Sequence, residues 1–366
     1  MKKIRVGMIF GGRSGEHEVS IISAQSVLTA LNETKYEAVP ILISKKGQWR
    51  IDFDRKKLGK KTSSSIYLLP DPTKKELVSK DKITFGQGKI DVFFPLVHGT
   101  YGEDGSIQGL LELAGLPYVG AGIAASATGM DKDLMKKIFK SEGLSITKYL
   151  VLLRKDLRLN QQKVTKMIEA GFTYPIFVKP ANLGSSVGIT KVHNRAELIQ
   201  GLKVASEYDR KLIVEQGIDR AREIEVAVLG NDEPETSVCG EVVPSKEFYD
   251  YEDKYILGKA KLIIPASIRK NISDKIKTMA KTAFKSIDCS GMARVDFLID
   301  PKTNEVYIDE INTIPGFTSI SMYPKLWEAT GVNYPKLIDR LIILAIERYN
   351  DKLRTKTEFP SKLLKE

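Results

Sequence analysis

Apolar and polar residues follow one another along the chain in patterns that switch between strand and helix. The first third predicts a small open α/β domain over residues 1–125, interrupted by a polar insertion near 50–85. Its apolar runs predict strands at 4–10, 36–44, 89–97 and 116–122, and its helical spacings predict helices at 19–31 and 105–115.

Beyond residue 125 the pattern changes to a region dominated by strands, followed by a long helix, a hairpin and a final helix. The tail 351–366 is polar. Helices are predicted at 131–144, between the strands 148–153 and 174–180, at 270–288 and at 335–349. Strands are predicted at 148–153, 174–180, 187–192, 211–218, 223–230, 236–243 and 260–266.

The hairpin carries polar residues where a buried strand pair would be apolar. Pairing Asp300 with Val306 across the turn-like segment PKTN sets its register. Because side chains alternate between faces along a strand, this register brings four polar side chains together on one face. The predicted pairs are Asp296 with Glu310 and Arg294 with Asn312.

Two carboxylates and an amide oxygen on one face are hard oxygen ligands, and Mg²⁺ completes such a set with water and phosphate oxygens. Without a cation, opposed carboxylates would repel each other, and the pKa of one would rise. The sequence therefore predicts Asp296, Glu310 and Asn312 as metal ligands. Solvated acids on a surface strand, or an Arg–Asp–Glu ion-pair network, remain alternatives.

A metal that binds phosphate requires a phosphate-binding segment. The chain has no GxxxxGK[ST] motif, and its first loop, GGRSGEH, does not match GxGxxG. Residues 177–191 (FVKPANLGSSVGITK) are better suited, because a strand that ends in lysine runs into a glycine- and serine-rich loop able to fold over phosphates. An ordinary hairpin turn is the alternative. The residues concerned are Lys179, Gly184, Ser185, Ser186 and Gly188.

A third segment, 213–218 (IVEQGI), predicts a strand edge followed by a glycine-containing connector. Such a connector could present the backbone of Glu215, Gln216 and Ile218 to an adenine edge. Glu223, further along the chain, would then be available to ribose hydroxyls.

Composition excludes several classes of protein. With 366 residues, 42% of them hydrophobic, the chain is long enough for two or three globular domains. Cys239 and Cys289 stand alone, so neither a disulfide framework nor a zinc site is expected. The apolar run 6–10 is too short for a signal peptide or a membrane span, which favours a cytoplasmic protein without a membrane partner. Despite a net charge of +11, the basic residues are scattered, which argues against a nucleic-acid partner.

Six motifs, in this order, resemble the D-alanine–D-alanine ligase family of the ATP-grasp superfamily. The resemblance covers about residues 1–350. The motifs are GGRSGEHEVS (11–20), HGTYGEDG (98–105), GMDKDLMK (129–136), KPANLGSSVGI (179–189), FYDYEDKY (248–255) and EINTIPGFTSISMYP (310–324).

The resemblance implies an α/β (α+β) class protein with the three-domain ATP-grasp fold, whose N-terminal domain has an open parallel sheet. It implies the ATP-dependent joining of two D-alanines through an acyl phosphate, for peptidoglycan synthesis. ATP is then the co-substrate, with two Mg²⁺ or Mn²⁺ ions, and a cytoplasmic homodimer is expected. The domains would be 1–125 (substrate binding), 126–217 (central), 218–350 (C-terminal, with a lid loop at 245–260) and the tail 351–366.

The resemblance also implies roles for single residues. Arg294 would balance charge on the transferred phosphoryl group, and the N–H of Gly316 would serve in an oxyanion hole. Glu18 matches the group that pairs with the first D-alanine's ammonium, although an acid favoured by the helix dipole is the alternative. Positions that match phosphate-binding lysines are Lys132, Lys179 and Lys254, and positions that match carboxylate contacts are His98 and Ser321.

The segment 245–255 (SKEFYDYEDKY) is too polar for a core and too aromatic for a plain linker. By resemblance it is a lid that excludes water, with Phe248 against adenine. Tyr255 would reach Ser185 and Glu18, and its presence favours D-alanine as the second substrate. A surface loop with aromatic residues packed beneath it is the alternative.

Overall fold

The computed structural model describes residues 2–52, 58–59, 62–74, 77–79, 89–245 and 260–357. The strands are β1 (Ile4–Gly11), β2 (Tyr36–Ile43), β3 (Trp49–Asp52), β4 (Thr62–Leu68), β5 (Leu77–Ser79), β6 (Val92–Pro95), β7 (Tyr149–Leu153), β8 (Ile176–Pro180), β9 (Thr190–Val192), β10 (Lys211–Gln216), β11 (Arg222–Gly230), β12 (Glu235–Val243), β13 (Lys261–Ile263), β14 (Gly291–Ile299) and β15 (Val306–Asn312). The helices are α1 (His17–Ala30), α2 (Ser106–Leu113), α3 (Ile123–Met130), α4 (Lys132–Ser141), α5 (Arg154–Gly171), α6 (Arg195–Tyr208), α7 (Lys270–Ser286), α8 (Met322–Ala329) and α9 (Tyr334–Lys352).

The first sheet has the strand order β5-β4-β3-β2-β1-β6. Its inner part is parallel, because β1 pairs with both β2 and β6 in parallel register, as the predicted α/β domain requires. The remaining strands are antiparallel and make the sheet mixed. They come from the polar insertion near 50–85, so part of this insertion extends the sheet rather than forming a separate loop.

The other two sheets form the remainder of the α/β fold. One has the order β7-β10-β8-β9, and the other has the order β13-β12-β11-β14-β15. The pairs within both are antiparallel. Helices α5 and α6 contact the four-stranded sheet and α7 contacts the five-stranded one, each over a buried apolar layer. A cavity lies between the two sheets, at their polar faces.

Most predicted elements are confirmed within a few residues, and the differences are instructive. The predicted strand 116–122 is reduced to a single parallel bridge between Phe93 and Tyr118. Helices α3, α6 and α8 were not predicted. Helix α9 packs its apolar side, including Leu337 and Leu341, into a core that also contains residues of β1 and β6. Among the described residues, no helix is both long and apolar enough to cross a membrane.

Candidate active site

The hairpin of β14 and β15 brings the four predicted polar side chains together. The cross-strand pairs are Arg294 with Asn312 and Asp296 with Glu310, which confirms the predicted pairing at this end. All four are partly buried, whereas the alternate residues Val295 and Ile311 are buried in the core behind them. The hairpin therefore has one apolar face and one charged face.

The predicted register is wrong at the turn, where Ile299 rather than Asp300 pairs with Val306. A β-bulge restores the register further along, because β15 carries one extra residue opposite Asp296 and Phe297. That residue is Asp309. Its position breaks the strand alternation, and both Asp309 and Glu310 line the cavity.

Ion pairs and hydrogen bonds connect the charged face. Arg294 binds Asp296 in bidentate fashion, with Nε 2.8 Å from Oδ1 and Nη2 2.7 Å from Oδ2. Its Nε is also 3.0 Å from Oε2 of Glu225 on β11. Asn312 Nδ2 donates to Asp296 Oδ2 over 3.0 Å and to Glu310 Oε1 over 3.4 Å. The Arg–Asp–Glu network left open as an alternative is thus present.

Burial raises the pKa of Asp296 to about 7, although Arg294 opposes the effect and Glu225 adds to it. Three carboxylates, those of Glu225, Asp296 and Glu310, lie around Arg294 on this face, and among these three Lys132 reaches only Glu310. Sequence reasoning missed Glu225. It could have been found by alternation, since it lies directly opposite Asp296 on the neighbouring strand.

The donor set of this face fits a hard divalent cation. Two carboxylates and the oxygen of Asn312 are the ligands Mg²⁺ and Mn²⁺ accept, with remaining positions left for water or phosphate. Across the described ranges, no cluster of three or more His, Cys, Asp or Glu side chains is arranged to hold a metal by itself.

Two predicted lysines face the hairpin across the cavity. Lys132 Nζ lies 3.5 Å from Glu310 Oε2 and donates to the carbonyl of Leu183 over 3.0 Å. Lys179 Nζ lies 2.7 Å from Glu215 Oε2 and 3.2 Å from Asp309 Oδ1. Burial alone would lower the pKa of Lys179, but these two carboxylates outweigh it and raise the pKa. Lys179 therefore remains an ammonium in the closed site.

The backbone of Glu215 was predicted to face an adenine edge. In the structure its side chain also pairs with two buried lysines. The carboxylate is buried and accepts from Lys136 Nζ at 2.5 Å and from the hydroxyl of Thr147. Burial alone would raise the pKa of Glu215, but the two lysines, Lys136 and Lys179, lower it by more. The net shift is downward, so Glu215 stays ionised. Lys136 is 1% exposed and was missed. Its signal was its position four residues after Lys132, on the same side of α4.

The segment between β8 and β9 closes over the cavity as a strained loop. Ser185, Ser186 and Gly188 all adopt positive φ values, of 52°, 57° and 73°. Two successive left-handed serines are uncommon and strained, and such strain is often found at ligand-binding segments. Gly184, Ser185 and Ser186 line the cavity, so the predicted loop is in the predicted place.

The structure places Ser185 beside Glu16 and not beside Glu18, the predicted partner of the substrate ammonium. The Ser185 hydroxyl donates to Glu16, which is 8% exposed. The Glu18 side chain is 62% exposed and pairs with Lys45, 2.5 Å away. The reason is helical geometry. Two residues along a helix correspond to a rotation of about 200° around its axis, so Glu16 and Glu18 point to nearly opposite sides at the start of α1.

His98 and Ser321 lie close to the oxyanion candidate, Gly316. His98 is buried, with Nδ1 3.1 Å from the carbonyl of Ile314 and Nε2 3.0 Å from Ser23 Oγ. A Cβ on Gly316 would lie 3.2 Å from Ser321 Oγ, so these two share one corner. Burial acts to lower the pKa of His98, but the nearby carboxylate of Glu103 overcomes it and raises the pKa.

The cavity between the sheets has a volume of about 530 Å³. It unites most of the predicted nucleotide and metal residues, whereas Asn312, His98, Gly316 and Ser321 are outside its lining as far as the chain is described. Phe248, Lys254 and Tyr255, like most of the predicted lid, lie outside the described residues. The predicted residues that line the cavity are Lys132, Lys179, Gly184, Ser185, Ser186, Glu215, Gln216, Ile218, Glu223, Arg294, Asp296 and Glu310.

Comparison with protein-family models gives two matches that together span most of the chain. Residues 5–121 match the model described as D-ala D-ala ligase N-terminus. Residues 138–343 match the model described as D-ala D-ala ligase C-terminus. The first match covers the residues of the six-stranded sheet, and the second covers those of the other two sheets.

Curated relatives and solved structures agree with these models. A D-alanine–D-alanine ligase of Chloroherpeton thalassium is 51% identical, with 96% of this chain and 99% of the relative covered. One from Natranaerobius thermophilus is 49% identical, with 98% and 99% covered. Among solved structures, the D-alanine–D-alanine ligase from Coxiella burnetii aligns with a TM-score of 0.82 at 37% identity over 96% and 98% of the chains. The VanG D-Ala:D-Ser ligase from Enterococcus faecalis aligns with a TM-score of 0.83 at 36% identity over 94% and 100%.

Proposed function

This chain belongs to the D-alanine–D-alanine ligase family, and we propose that it joins two molecules of D-alanine to D-alanyl-D-alanine for peptidoglycan precursor synthesis. The observation that carries the proposal is the charged face of the β14–β15 hairpin, set opposite Lys132 and Lys179 across one cavity. Anionic and cationic groups facing each other in this way suit a nucleotide triphosphate and its metal ion.

In the proposed reaction, ATP is the co-substrate and its γ-phosphate passes to the carboxylate of the first D-alanine. The resulting acyl phosphate is attacked by the amine of the second D-alanine, and phosphate leaves. Lys132 and Lys179 would hold the phosphates, while Arg294 would balance the charge that moves during transfer. The N–H of Gly316 would stabilise the oxyanion of the tetrahedral intermediate.

Asp296, Glu310 and Asn312 would hold two Mg²⁺ ions, or two Mn²⁺ ions instead. The bound cations would neutralise phosphate charge. The bidentate pair of Arg294 with Asp296 orients this carboxylate before any ligand arrives. Asn312 Nδ2 donates to both carboxylates, and the amide would turn to present its oxygen to a bound cation. These contacts keep the acidic face ordered.

For the first D-alanine we propose Glu16, rather than Glu18, as the partner of the ammonium group. Glu16 is buried beside Ser185 at the junction of the first loop and the glycine loop, whereas Glu18 points to solvent. His98, carrying a raised pKa, would attract a substrate carboxylate, and Ser321 would bind that of the second D-alanine.

The choice of the second substrate does not follow from the fold, because a D-Ala:D-Ser ligase aligns as well as a D-alanine–D-alanine ligase does. We propose D-alanine because the relatives near 50% identity carry that name. For the lid residues, which lie outside the described ranges, we propose the roles that the resemblance implies, with Phe248 against adenine, Lys254 on phosphate and Tyr255 in contact with Ser185.

We further propose the domain division 1–125, 126–217 and 218–350, followed by the tail 351–366. It is supported by the three sheets, whose strands fall within residues 4–95, 149–216 and 222–312. A homodimer and a cytoplasmic location are proposed from the family alone.

Phosphate release from ATP and Mg²⁺ tests the proposed function directly. D-alanine, L-alanine, D-lactate and D-serine are supplied in parallel, and the product is identified by mass. Release that needs D-alanine, with D-alanyl-D-alanine as the product, is expected. A mixed product with D-serine or D-lactate would overturn the second substrate, and no turnover would overturn the reaction.

A further inference from the structure

Asp309 is the extra residue of the bulge in β15, and its side chain faces the nucleotide cavity instead of the core. In a regular strand it would share a face with Ile311, which is buried. The bulge instead leaves it beside Glu310 in the cavity lining, with 23% of its side chain exposed. A bulge commonly redirects a side chain in this way next to a functional site.

The nearer cation of the Asp309 carboxylate is Lys179, whose Nζ lies 3.2 Å from Oδ1, whereas Lys136 Nζ lies 3.9 Å from the same oxygen. Lys179 has a second anionic neighbour, Glu215, at 2.7 Å. The two carboxylates approach from different directions. Glu215 lies on β10, which pairs with the strand of Lys179, whereas Asp309 belongs to the other sheet, across the cavity.

An ammonium group has three donors on a flexible four-carbon stem. With Glu215 alone, the ammonium of Lys179 could turn about one contact within its own sheet. A contact from each of the two sheets would restrict its position and leave a donor for a phosphate oxygen. Asp309 therefore connects its own sheet to Lys179 on the other side of the cavity. Its backbone carbonyl also accepts a hydrogen bond from Lys136 Nζ over 3.4 Å.

We propose that Asp309 is a positioning residue, which holds the ammonium of Lys179 in place for the phosphates of the nucleotide. The proposal rests on the proposed ATP-binding function. The opposite reading is that Asp309 only neutralises Lys179 while no nucleotide is bound and repels phosphate. The two readings predict opposite changes in affinity when the charge is removed.

The experiment is calorimetric binding of a non-hydrolysable ATP analogue with Mg²⁺, and of adenosine, to the full chain and to Asp309→Asn. Positioning predicts that the analogue binds about five- to tenfold more weakly, within the range of couplings between groups in one network. Adenosine, which has no phosphate, should bind as before. Asp309→Glu keeps the charge and should restore most of the affinity.

A double-mutant cycle with Lys179→Met tests whether Asp309 acts through the lysine. In that background Asp309→Asn should have no further effect on the analogue. Glu233→Gln serves as a control, since its side chain is 94% exposed and the same charge is removed at the surface. A melting curve for each variant, with Asp309→Ser as a second substitution, separates binding from folding.

Tighter binding of the analogue by Asp309→Asn, unchanged binding, or an equal loss for adenosine would each overturn the proposal. So would an effect that persists in Lys179→Met. None of these measurements uses D-alanine. A wild-type chain that binds the analogue but releases no phosphate with D-alanine would refute the proposed function. The double-mutant cycle would in that case still test the role of Asp309.

Discussion

The charged hairpin and the corner around Glu16 are both placed to contact substrate, but they are assembled differently. In the hairpin, Arg294, Asp296, Glu310 and Asn312 come from two adjacent strands whose backbone pairing fixes them. In the corner, Glu16 meets Ser185 across 169 residues of sequence. The hairpin keeps its geometry whenever the sheet is folded, whereas the corner exists only while two separate loops stay together.

This difference indicates a division of work. Groups that must hold concentrated charge lie on the rigid element, and groups that must admit and release a small substrate lie where loops meet. The corner is also the region in which a change of cleft opening would break a contact, since Ser185 belongs to the loop between β8 and β9.

The largest effect is expected from Asp296→Asn in the hairpin. Loss of a proposed metal ligand should reduce turnover about a thousandfold, beyond the roughly 10–100-fold typical of groups that only support a ligand. The substitution also removes one partner of the bidentate pair with Arg294, so the melting temperature is measured to separate a loss of stability from a loss of turnover. Steady-state kinetics measure the loss. Asp300→Asn, at the turn of the same hairpin, should leave turnover within about twofold.

A smaller effect, of a different kind, is expected in the corner. Glu16→Gln should raise the KM for D-alanine about 10- to 100-fold, as loss of a charged hydrogen-bond partner does. Glu18→Gln should change it by no more than about twofold, because an exposed pair with Lys45 contributes little. Equal effects of the two variants would refute the assignment of Glu16.

The loop between β8 and β9 allows a matched test of whether its backbone conformation tolerates a side chain at Gly188. Gly188 and Gly143 share a φ of 73°, but a Cβ on Gly188 would lie 2.8 Å from the ring of Tyr208, whereas nothing lies within 4 Å of one on Gly143. Gly188→Ala should raise the KM for ATP about three- to tenfold, because the clash of the new Cβ with the Tyr208 ring would displace the loop, and overpacking of this kind costs about 1–3 kcal/mol. Gly143→Ala carries the same φ strain and should leave this KM unchanged.

The smallest effect is a pH dependence at His98. Its pKa is raised, so the charged form is fully present below the ordinary value of 6.5 and is lost as the pH rises through the folded-state pKa. The KM for D-alanine should therefore rise about two- to threefold above that pKa, as a single charge contact is lost. Glu103→Gln should move this rise to lower pH. The exposed Glu142→Gln should not move it.

The sequence predicts the hairpin well because strand alternation assigns each side chain a direction. Asp296 and Glu310 were placed opposite each other, although the bulge at Asp309 could not be foreseen, since nothing in the sequence separates a bulged strand from a regular one of the same composition. The predicted register at the turn failed for that reason.

Loop junctions resist the same reasoning. Whether Glu16 or Glu18 faces the site depends on where α1 begins, and a shift of one or two residues is within the uncertainty of any predicted helix end. Helix α6 was missed among strands, and β4 was missed because Ser and Thr predominate in it. Lys136 was missed because burial of a lysine depends on a partner, here Glu215, that lies far away in sequence.

Loss of a codon within a paired strand normally turns every later side chain to the opposite face, because the period of a strand is two. The codon for Asp309 is an exception. Without it, Ile308 would precede Glu310 directly, Phe297 would still face Ile308, and Asp296 would still face Glu310, now in an unbroken ladder. Loss of Ile308 instead would move a carboxylate into its buried place. Position 309 is thus where the hairpin could lose a residue and still keep Asp296 opposite Glu310.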